Sequence, residues 1–168
     1  EPGGSPGAEE IRRLVLEGDP DRWSAETEIL LFTAARRDHL ERVIEPALRA
    51  GKIVISDRFA DSTRMYQGVS RGDLRGVVDK LHALMIGREP DLTFVIDMDP
   101  DLGLARARGR NGTEERFEDF GADLQRKMRA GFLALAAEFP DRCRVIDGNR
   151  PAEIVAAEVA AVADGALS

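Results

Sequence analysis

The chain has 168 residues, of which 43% are hydrophobic and 33% are charged, and this predicts a single soluble domain with one well-buried core. The excess of 31 acidic over 24 basic residues gives a net charge of −7, which argues against a general nucleic-acid binder. A single cysteine, Cys143, excludes an internal disulfide, and no apolar run approaches the ~20 residues needed to cross a bilayer, so we expect a cytoplasmic protein with a plain buried thiol.

The N-terminal part predicts turns followed by two helices. Residues 1–7, EPGGSPG, carry turn chemistry, and the apolar spacing from Ala8 to Leu16 predicts a short helix. Ser24 is suited to cap a longer second helix, which Pro46 is expected to kink or end. We expect the buried stripe of that helix to consist of Leu30, Leu31, Ala34, Ala35, Leu40, Val43 and Ile44.

Three short β-branched runs predict the strands of a parallel sheet. They are KIVISD at 52–57, LTFVID from Leu92 to Asp97, and RVID from Arg144 to Asp147. We expect the first two to be fully buried. The predicted helices around them are Asp61 to Gln67, Leu74 to Ile86, one opened by Asp99 and Pro100, and a last one from Pro151. Helices that alternate with parallel strands indicate an α/β fold with crossover connections.

Ligands of open α/β sheets bind beyond the carboxyl ends of the strands, where Asp57, Arg58 and Phe59 follow the first predicted strand. The carboxylate of Asp57 can hold Mg²⁺ through water, and the guanidinium of Arg58 can bind a phosphate with two hydrogen bonds. In the alternative interpretation, Asp57 caps the next helix and pairs with Arg58.

Two pairs of residues are spaced four apart in predicted helices, so the members of each pair share a face. Phe32 and Arg36 suit a nucleobase, because the ring can stack on it while the guanidinium donates to an exocyclic oxygen. Thr63 and Gln67, with Tyr66 beside them, can read the polar edge of a base or a sugar. The alternatives are a core Phe beside a surface-paired Arg, and a solvated helix face with a half-buried Tyr.

The segment from Ala105 to Asp119, ARARGRNGTEERFED, places three arginines beside two glycines. These arginines are Arg106, Arg108 and Arg110. They suit a mobile lid that closes on a polyphosphate, supplies charge to a phosphoryl-transfer transition state and excludes water. The alternative is an exposed, salt-bridged helix end. His39 and His82 are isolated on helical stretches, and we expect them to be packing or surface residues rather than catalysts.

Five segments of the chain resemble bacterial thymidylate kinase. They are EPGGS, LLFTAARRDHL, VISDRFADSTRMYQG, the arginine-rich segment with ERFE, and the final VIDG strand and turn. Their order and spacing match the family through nearly the whole chain. The resemblance implies a three-layer parallel sheet of the P-loop NTPase type, with helices on both faces. It also implies one nucleoside-monophosphate-kinase-like domain over residues 1–168, with a lid at 105–119.

The resemblance also implies roles for single residues. Phe32 would stack on thymine, and Arg36 would contact the carbonyl edge of that base. Arg58 would hold the acceptor monophosphate, with Asp57 near Mg²⁺ and the reacting phosphates. Thr63, Tyr66 and Gln67 would surround thymine and deoxyribose, and Glu118 would close over the nucleoside. Arg106 and Arg110 would be catalytic arginines of the lid. The turn that borders adenine would contain Asn149, Arg150 and Pro151.

The sequence departs from the family in one large feature, because G-x-x-x-x-G-K-[ST] does not occur in it. That loop cradles the donor phosphates with backbone N–H groups, and in the family it lies upstream of EPGG, on the first strand and helix. We therefore expect the first strand and the P-loop helix to be absent from this chain, which would be an N-terminally incomplete domain and an inefficient kinase by itself.

The leading hypothesis is Mg²⁺-dependent transfer of the γ-phosphoryl group of ATP to thymidine 5′-monophosphate (dTMP). One alternative of the same fold is a deoxynucleoside kinase, which phosphorylates a nucleoside and needs a general base for the 5′-hydroxyl. Another is a non-catalytic nucleotide-binding or dimerisation module. The resemblance suggests a homodimer through the long helices, with no nucleic-acid or membrane partner.

Overall fold

The computed structural model describes residues 1–19, 22–69, 72–108 and 121–167. The chain divides into two compact units, Glu1–Glu89 and Pro90–Ser168. Among the described residues, no helix combines the length and apolar character that a membrane span requires.

The first unit is helical. Its elements are α1 (Pro6–Leu16), α2 (Ala25–His39), a π-helical turn (Leu40–Ile44), α3 (Glu45–Arg49), α4 (Ala60–Tyr66) and α5 (Arg75–Met85). α2 packs against α1 and α5, and α4 packs against α5. Leu40, Ile44 and Ile86 form a buried apolar cluster where α2 passes into the π-helical turn.

Local sequence signals place the ends of α2 and its continuation. Ser24 caps α2 as predicted, because its hydroxyl accepts a 3.2 Å hydrogen bond from the backbone N–H of Thr27. Pro46 lacks the N–H that an α-helix uses, and just before it the hydrogen bonding shifts so that Glu45 donates to the carbonyl of Leu40. Pro46 therefore interrupts the regular α-helix without ending the helical run, which continues to Arg49.

The predicted buried stripe of α2 is wrong in part. Leu30 and Val43 are 57% and 39% exposed. The buried face instead carries Glu28, Phe32 and Arg36, which follow one another at intervals of four residues. Hydrophobicity alone does not predict the whole buried side of α2, because Glu28 and Arg36, two of its seven buried residues, are charged.

Residues 52–56 do not form the strand that the sequence predicts. Their backbone pairs with no strand among the described residues, and Ile53 and Ile55 are 66% and 93% exposed. A β-strand is stabilised by hydrogen bonds to a neighbouring strand, and its apolar side chains need a covering layer. Among the described residues no strand pairs with this segment, and of its three apolar side chains only Val54 packs against the cluster of Leu40, Ile44 and Ile86.

The second unit contains the sheet. Its elements are β1 (Thr93–Asp97), α6 (Pro100–Arg108), α7 (Gly121–Glu138), β2 (Cys143–Asp147) and α8 (Ala152–Leu167). β1 and β2 pair in parallel, with Thr93 opposite Cys143 and Asp97 opposite Asp147. α7 packs against both strands and α8 packs against β2, so the prediction of an α/β fold with a parallel sheet is confirmed.

The start of α6 and the burial of the thiol of Cys143 agree with the predictions from the sequence. The carboxylate of Asp99 caps α6 by accepting hydrogen bonds from the backbone N–H groups of Asp101 and Leu102 at 3.0 and 3.3 Å. Cys143 is buried at the start of β2, as predicted.

Two features of the second unit differ from what the sequence predicts. Ile96 is 45% exposed, so β1 is not the fully buried strand that the sequence predicts. Residues 121–138, for which the sequence predicts no element, form α7, and this helix buries Met128 and Leu135.

Candidate functional site

The turn that leads into α4 has an unusual backbone conformation. Arg58 has a φ of 69°, in the left-handed region that costs an L-residue roughly 1–2 kcal/mol. The hydroxyl of Ser56 donates a 2.9 Å hydrogen bond to the carbonyl of Arg58 and holds the turn. Phe59 occupies the N-cap position of α4, so Asp57 is not the helix cap of the alternative interpretation. Backbone strain of this kind is frequent at functional sites.

The side chains at this turn are accessible. Asp57 and Arg58 are both exposed. The guanidinium of Arg58 lies over the ring of Tyr66, 5.2 Å from its centroid, and Tyr66 is half-buried. The structure therefore brings a guanidinium over a phenol ring, an arrangement that can hold a charged ligand beside a flat ring, and the exposed Asp57 precedes Arg58 in the same turn.

Arg36 is a buried arginine that joins α2 to two other segments. Its Nη2 donates a 3.0 Å hydrogen bond to the hydroxyl of Thr63, and its Nε donates a 3.1 Å hydrogen bond to the carboxylate of Glu1. Its guanidinium also lies 5.2 Å from the centroid of the Phe59 ring. With only 3% of Arg36 exposed, the alternative of a surface-paired arginine is wrong.

Thr63 and Gln67 point into the unit rather than to solvent, since they are 2% and 1% exposed. The amide Nε2 of Gln67 donates a 3.1 Å hydrogen bond to the carboxylate of Glu28. A carboxylate accepts hydrogen bonds when ionised, so it directs the NH₂ group of Gln67 towards itself. The alternative of a solvated helix face is therefore wrong for these two residues.

Glu28 is a buried residue of this group that is absent from the predicted site residues, although the sequence carries a signal for it. Glu28 lies four residues before Phe32 on α2, in the same spacing that places Phe32 on the face of Arg36. One helical turn before Phe32, the same face of α2 therefore carries the carboxylate of Glu28, which is completely buried. Aromatic, cationic and acidic groups then line one buried face, which is a setting for a planar ligand with polar edges.

Neither histidine belongs to this group of residues. Burial lowers the pKa of His39, and Gly4 packs so closely that a Cβ at that position would lie 2.4 Å from its Nε2. His82 is buried, and its Nε2 lies 3.1 Å from the carboxylate of Glu89. Both contacts fit packing roles, as predicted.

In the second unit, Arg106 binds the turn that follows β2. Its Nη1 donates to the carbonyl of Gly148 at 3.0 Å, and its Nη2 donates to the carbonyl of Asn149 at 3.3 Å. The Oδ1 of Asn149 accepts a 2.9 Å hydrogen bond from the backbone N–H of Asp99. Two predicted site residues, Arg106 and Asn149, are therefore in direct contact.

The turn itself is built by Asp147 and Gly148. The backbone N–H of Asn149 donates to the carboxylate of Asp147 at 3.0 Å, and this hydrogen bond lowers the pKa of Asp147. Gly148 fits closely against β1, because a Cβ there would lie 2.7 Å from Cγ2 of Ile96. Arg150 donates to the carbonyl of Asp147 at 3.1 Å and also pairs with Glu158. Pro151 follows directly, before α8.

A further ion pair beside this turn was not identified from the sequence. Arg129 of α7 donates two hydrogen bonds to Asp97, at 2.6 and 2.8 Å, and they lower the pKa of that carboxyl group. Arg110 and Glu118, together with the rest of the predicted lid from residue 109 onwards, lie outside the described residues. The described residues contain no cluster of three or more histidine, cysteine, aspartate or glutamate side chains suited to hold a metal ion.

Comparisons with known proteins agree on one family. The sequence model of the family described as thymidylate kinase matches residues 1–159. The thymidylate kinase of Ruegeria pomeroyi is 79% identical over 159 residues, which are 95% of this chain and 75% of that protein. The thymidylate kinase of Dinoroseobacter shibae is 71% identical over 161 residues, 96% of this chain and 78% of that protein. The crystal structure of thymidylate kinase from Ehrlichia chaffeensis superposes with a TM-score of 0.74 at 34% identity, covering 96% of this chain and 76% of that one.

Proposed function

The chain belongs to the thymidylate kinase family, and we propose on this premise that it transfers the γ-phosphoryl group of ATP to dTMP, giving thymidine 5′-diphosphate and ADP. The observation that carries the proposal for the acceptor is the buried contact between Arg36 and Thr63 next to Phe32. Such a constellation suits a thymine ring, which offers a flat face for stacking and carbonyl oxygens for hydrogen bonds.

In this proposal, the first unit binds dTMP. Phe32 stacks on the base, and Arg36 donates to its carbonyl edge. Thr63, Tyr66 and Gln67 surround the thymine and the deoxyribose. The contacts of Arg36 with Thr63 and of Gln67 with Glu28 orient these polar groups before the ligand arrives, which lowers the entropy cost of binding.

Arg58 is assigned to the acceptor phosphate and Asp57 to the metal ion. The guanidinium of Arg58 is exposed and positioned over Tyr66, so it can bind two phosphate oxygens. Asp57 provides one exposed carboxylate, which fits Mg²⁺ because this ion keeps several waters and takes its other ligands from substrate phosphates. When bound, Mg²⁺ neutralises negative charge on the reacting phosphates.

The donor side is assigned to the second unit. Asn149, Arg150 and Pro151 border adenine, and the hydrogen bonds of Arg106 and Asp99 to Asn149 hold this turn in shape. Arg106 and Arg110 belong to the lid that covers the ATP phosphates, and Glu118 closes over the nucleoside. Phosphoryl transfer needs little covalent help from a protein, so positioning and charge neutralisation supply the catalysis, and no protein base is required.

An acceptor panel tests the proposal. The full-length protein is incubated with ATP and Mg²⁺ and with dTMP, thymidine or no acceptor, and the nucleotides are separated by ion-exchange chromatography. We expect thymidine diphosphate and ADP in equal amounts with dTMP alone. Phosphorylation of thymidine but not of dTMP would identify a deoxynucleoside kinase, and calorimetric binding of dTMP without turnover would identify a binding module.

We also propose that the protein is a cytoplasmic homodimer without a nucleic-acid partner. Exposed apolar side chains on α2 and α5 support the dimer, among them Leu30, Val77 and Leu84. Sedimentation velocity should give a dimer that Leu84→Glu weakens. A monomer at all concentrations would contradict this part of the proposal.

A further inference from the structure

α4 carries two sets of residues on different faces. Thr63 and Gln67 contact α2, through Arg36 and Glu28 respectively. The neighbouring Arg64 turns towards α5 instead. Consecutive residues of an α-helix are separated by about 100° around the axis, so a fixed direction for Arg64 fixes the direction of Thr63 as well.

Arg64 is the centre of an ionic cluster with three carboxylates. It donates to Asp61 at 2.7 Å, to Asp79 of α5 at 2.8 Å and to Glu89 at 2.5 Å. The side chain of Arg64 is only 4% exposed, and His82 adds a contact to Glu89 at 3.1 Å. Nη1 donates to Glu89 as well, at 3.2 Å, so every nitrogen of the planar guanidinium has an acceptor, which locks the side chain in one orientation.

The pKa values agree with a tightly paired cluster. Burial alone would raise the pKa of Glu89, but the contact with His82 and the hydrogen bonds from Arg64 outweigh it and lower the pKa to about 2. Burial likewise opposes the charge of Arg64, yet the hydrogen bonds that it donates to its carboxylate partners raise the pKa of the guanidinium. Removing Arg64 would take away the charge that compensates the mostly buried carboxylate of Asp61.

We propose that Arg64 is a positioning residue of the dTMP site, which sets the rotation of α4 so that Thr63 and Gln67 face Arg36 and Glu28. This inference rests on the proposed function. α4 has only seven residues, and a helix of that length is not stable by itself, so contacts on its two faces decide its orientation. The cluster supplies the contacts on the α5 face.

A second path connects the cluster to the proposed base-binding residues. The ring of Phe59, at the N-cap of α4, packs edge-on against His82 with centroids 6.2 Å apart. The guanidinium of Arg36 lies 5.2 Å from the centroid of the same ring. The cluster therefore supports α4 both along its α5 face and at its N-cap, Phe59.

The test compares Arg64→Lys with Arg42→Lys in the full-length protein. Lysine keeps the charge of Arg64 but cannot serve three acceptors in one plane. Arg42 forms an exposed pair with Asp38 in the same unit and is the matched control. The measurements are steady-state kinetics with varied dTMP and with varied ATP, and calorimetric titration with dTMP.

We expect Arg64→Lys to weaken dTMP binding and raise the KM for dTMP on the order of ten- to a hundredfold, because small displacements of binding groups are costly. kcat and the KM for ATP should change little. Equal dTMP affinity in the two variants would overturn the inference, and so would a parallel loss of dTMP and ATP affinity, which indicates general damage to the fold. If the wild-type protein does not phosphorylate dTMP, the proposed function fails instead.

Asp79→Asn is a second variant for the case that Arg64→Lys does not fold. It weakens one contact of Arg64 and leaves those to Asp61 and Glu89 in place. We expect a smaller rise of the KM for dTMP, again with an unchanged KM for ATP. An unchanged dTMP affinity in folded Asp79→Asn would overturn the inference.

Discussion

The guanidinium of Arg36 donates a 3.0 Å hydrogen bond to the hydroxyl of Thr63, and both residues are buried. The two are separated by 27 positions in the sequence, so this hydrogen bond joins α2 to α4. It brings the two helices that carry the proposed base-binding residues into one site. The charged Nη2 of Arg36 donates to the neutral hydroxyl of Thr63. Substitution of Thr63 would therefore leave a buried, charged N–H group without this acceptor.

Thr63→Val tests the structural contribution of that hydrogen bond. Valine has nearly the shape of threonine but leaves a buried N–H of Arg36 without its acceptor, which should lower the free energy of unfolding by about 1–3 kcal/mol. Thr33→Val is the matched control, because the hydroxyl of Thr33 is buried and donates only to the carbonyl of Ile29 in its own helix. Urea unfolding measures both variants, and equal losses would contradict the importance of the bond between α2 and α4.

Arg36→Ala tests base recognition. We expect a loss of kcat/KM for dTMP equivalent to about 1–3 kcal/mol, because a buried, charge-assisted donor to the base disappears. The KM for ATP should stay the same. Arg42→Ala removes an exposed arginine from the same unit and should have no such effect. An unchanged kcat/KM for dTMP in Arg36→Ala would show that another residue recognises the base.

Substitution of Arg58 separates backbone strain from phosphate binding. Both Arg58→Ala and Arg58→Gly should impair phosphoryl transfer, since both remove the guanidinium. Arg58→Gly should be more stable to urea than Arg58→Ala by about 1 kcal/mol, because glycine adopts a φ of 69° without the cost that alanine has.

Lys80 provides the control for this comparison. It is exposed in the middle of α5, so Lys80→Gly should be less stable than Lys80→Ala by about 1 kcal/mol. The same order of stability at both positions would contradict the assigned conformation of Arg58.

The ionic cluster around Arg64 predicts a dependence of stability on pH. The pKa of Glu89 is lowered from 4.5 to about 2 in the folded protein, so the folded state favours the ionised carboxylate. Its stabilising contribution is complete above pH 4.5 and is lost as the pH falls towards 2. The difference in unfolding free energy between the wild type and Glu89→Gln should therefore be larger at pH 6 than at pH 3. A difference independent of pH would contradict this pairing.

Arg106 has two proposed roles that kinetics can separate. In Arg106→Met, loss of the hydrogen bonds to Gly148 and Asn149 should raise the KM for ATP by roughly tenfold and leave the KM for dTMP unchanged. Arg126→Met removes an exposed arginine of α7 as the control. A fall in kcat with an unchanged KM for ATP would instead place Arg106 at the transferred phosphoryl group.

Much of the candidate site follows from local spacing. The four-residue intervals from Phe32 to Arg36 and from Thr63 to Gln67 correctly place the members of each pair on one helix face. The same spacing does not show that both faces are buried. Glu28 has no apolar character to reveal its burial, and its partner Gln67 lies on another helix. The burial of charged groups depends on such distant partners.

By itself, the sequence determined the helix starts at Ser24 and Asp99, the two parallel strands and the family, because caps, periodicity and motifs act within a few neighbouring residues. Only the tertiary structure decided that residues 52–56 form no strand among the described residues, and that Arg64 gathers three carboxylates. Strand pairing and the compensation of a buried charge both need groups from elsewhere in the chain. Their free energies are therefore set by what the fold brings next to a residue, and not by the residues beside it in sequence.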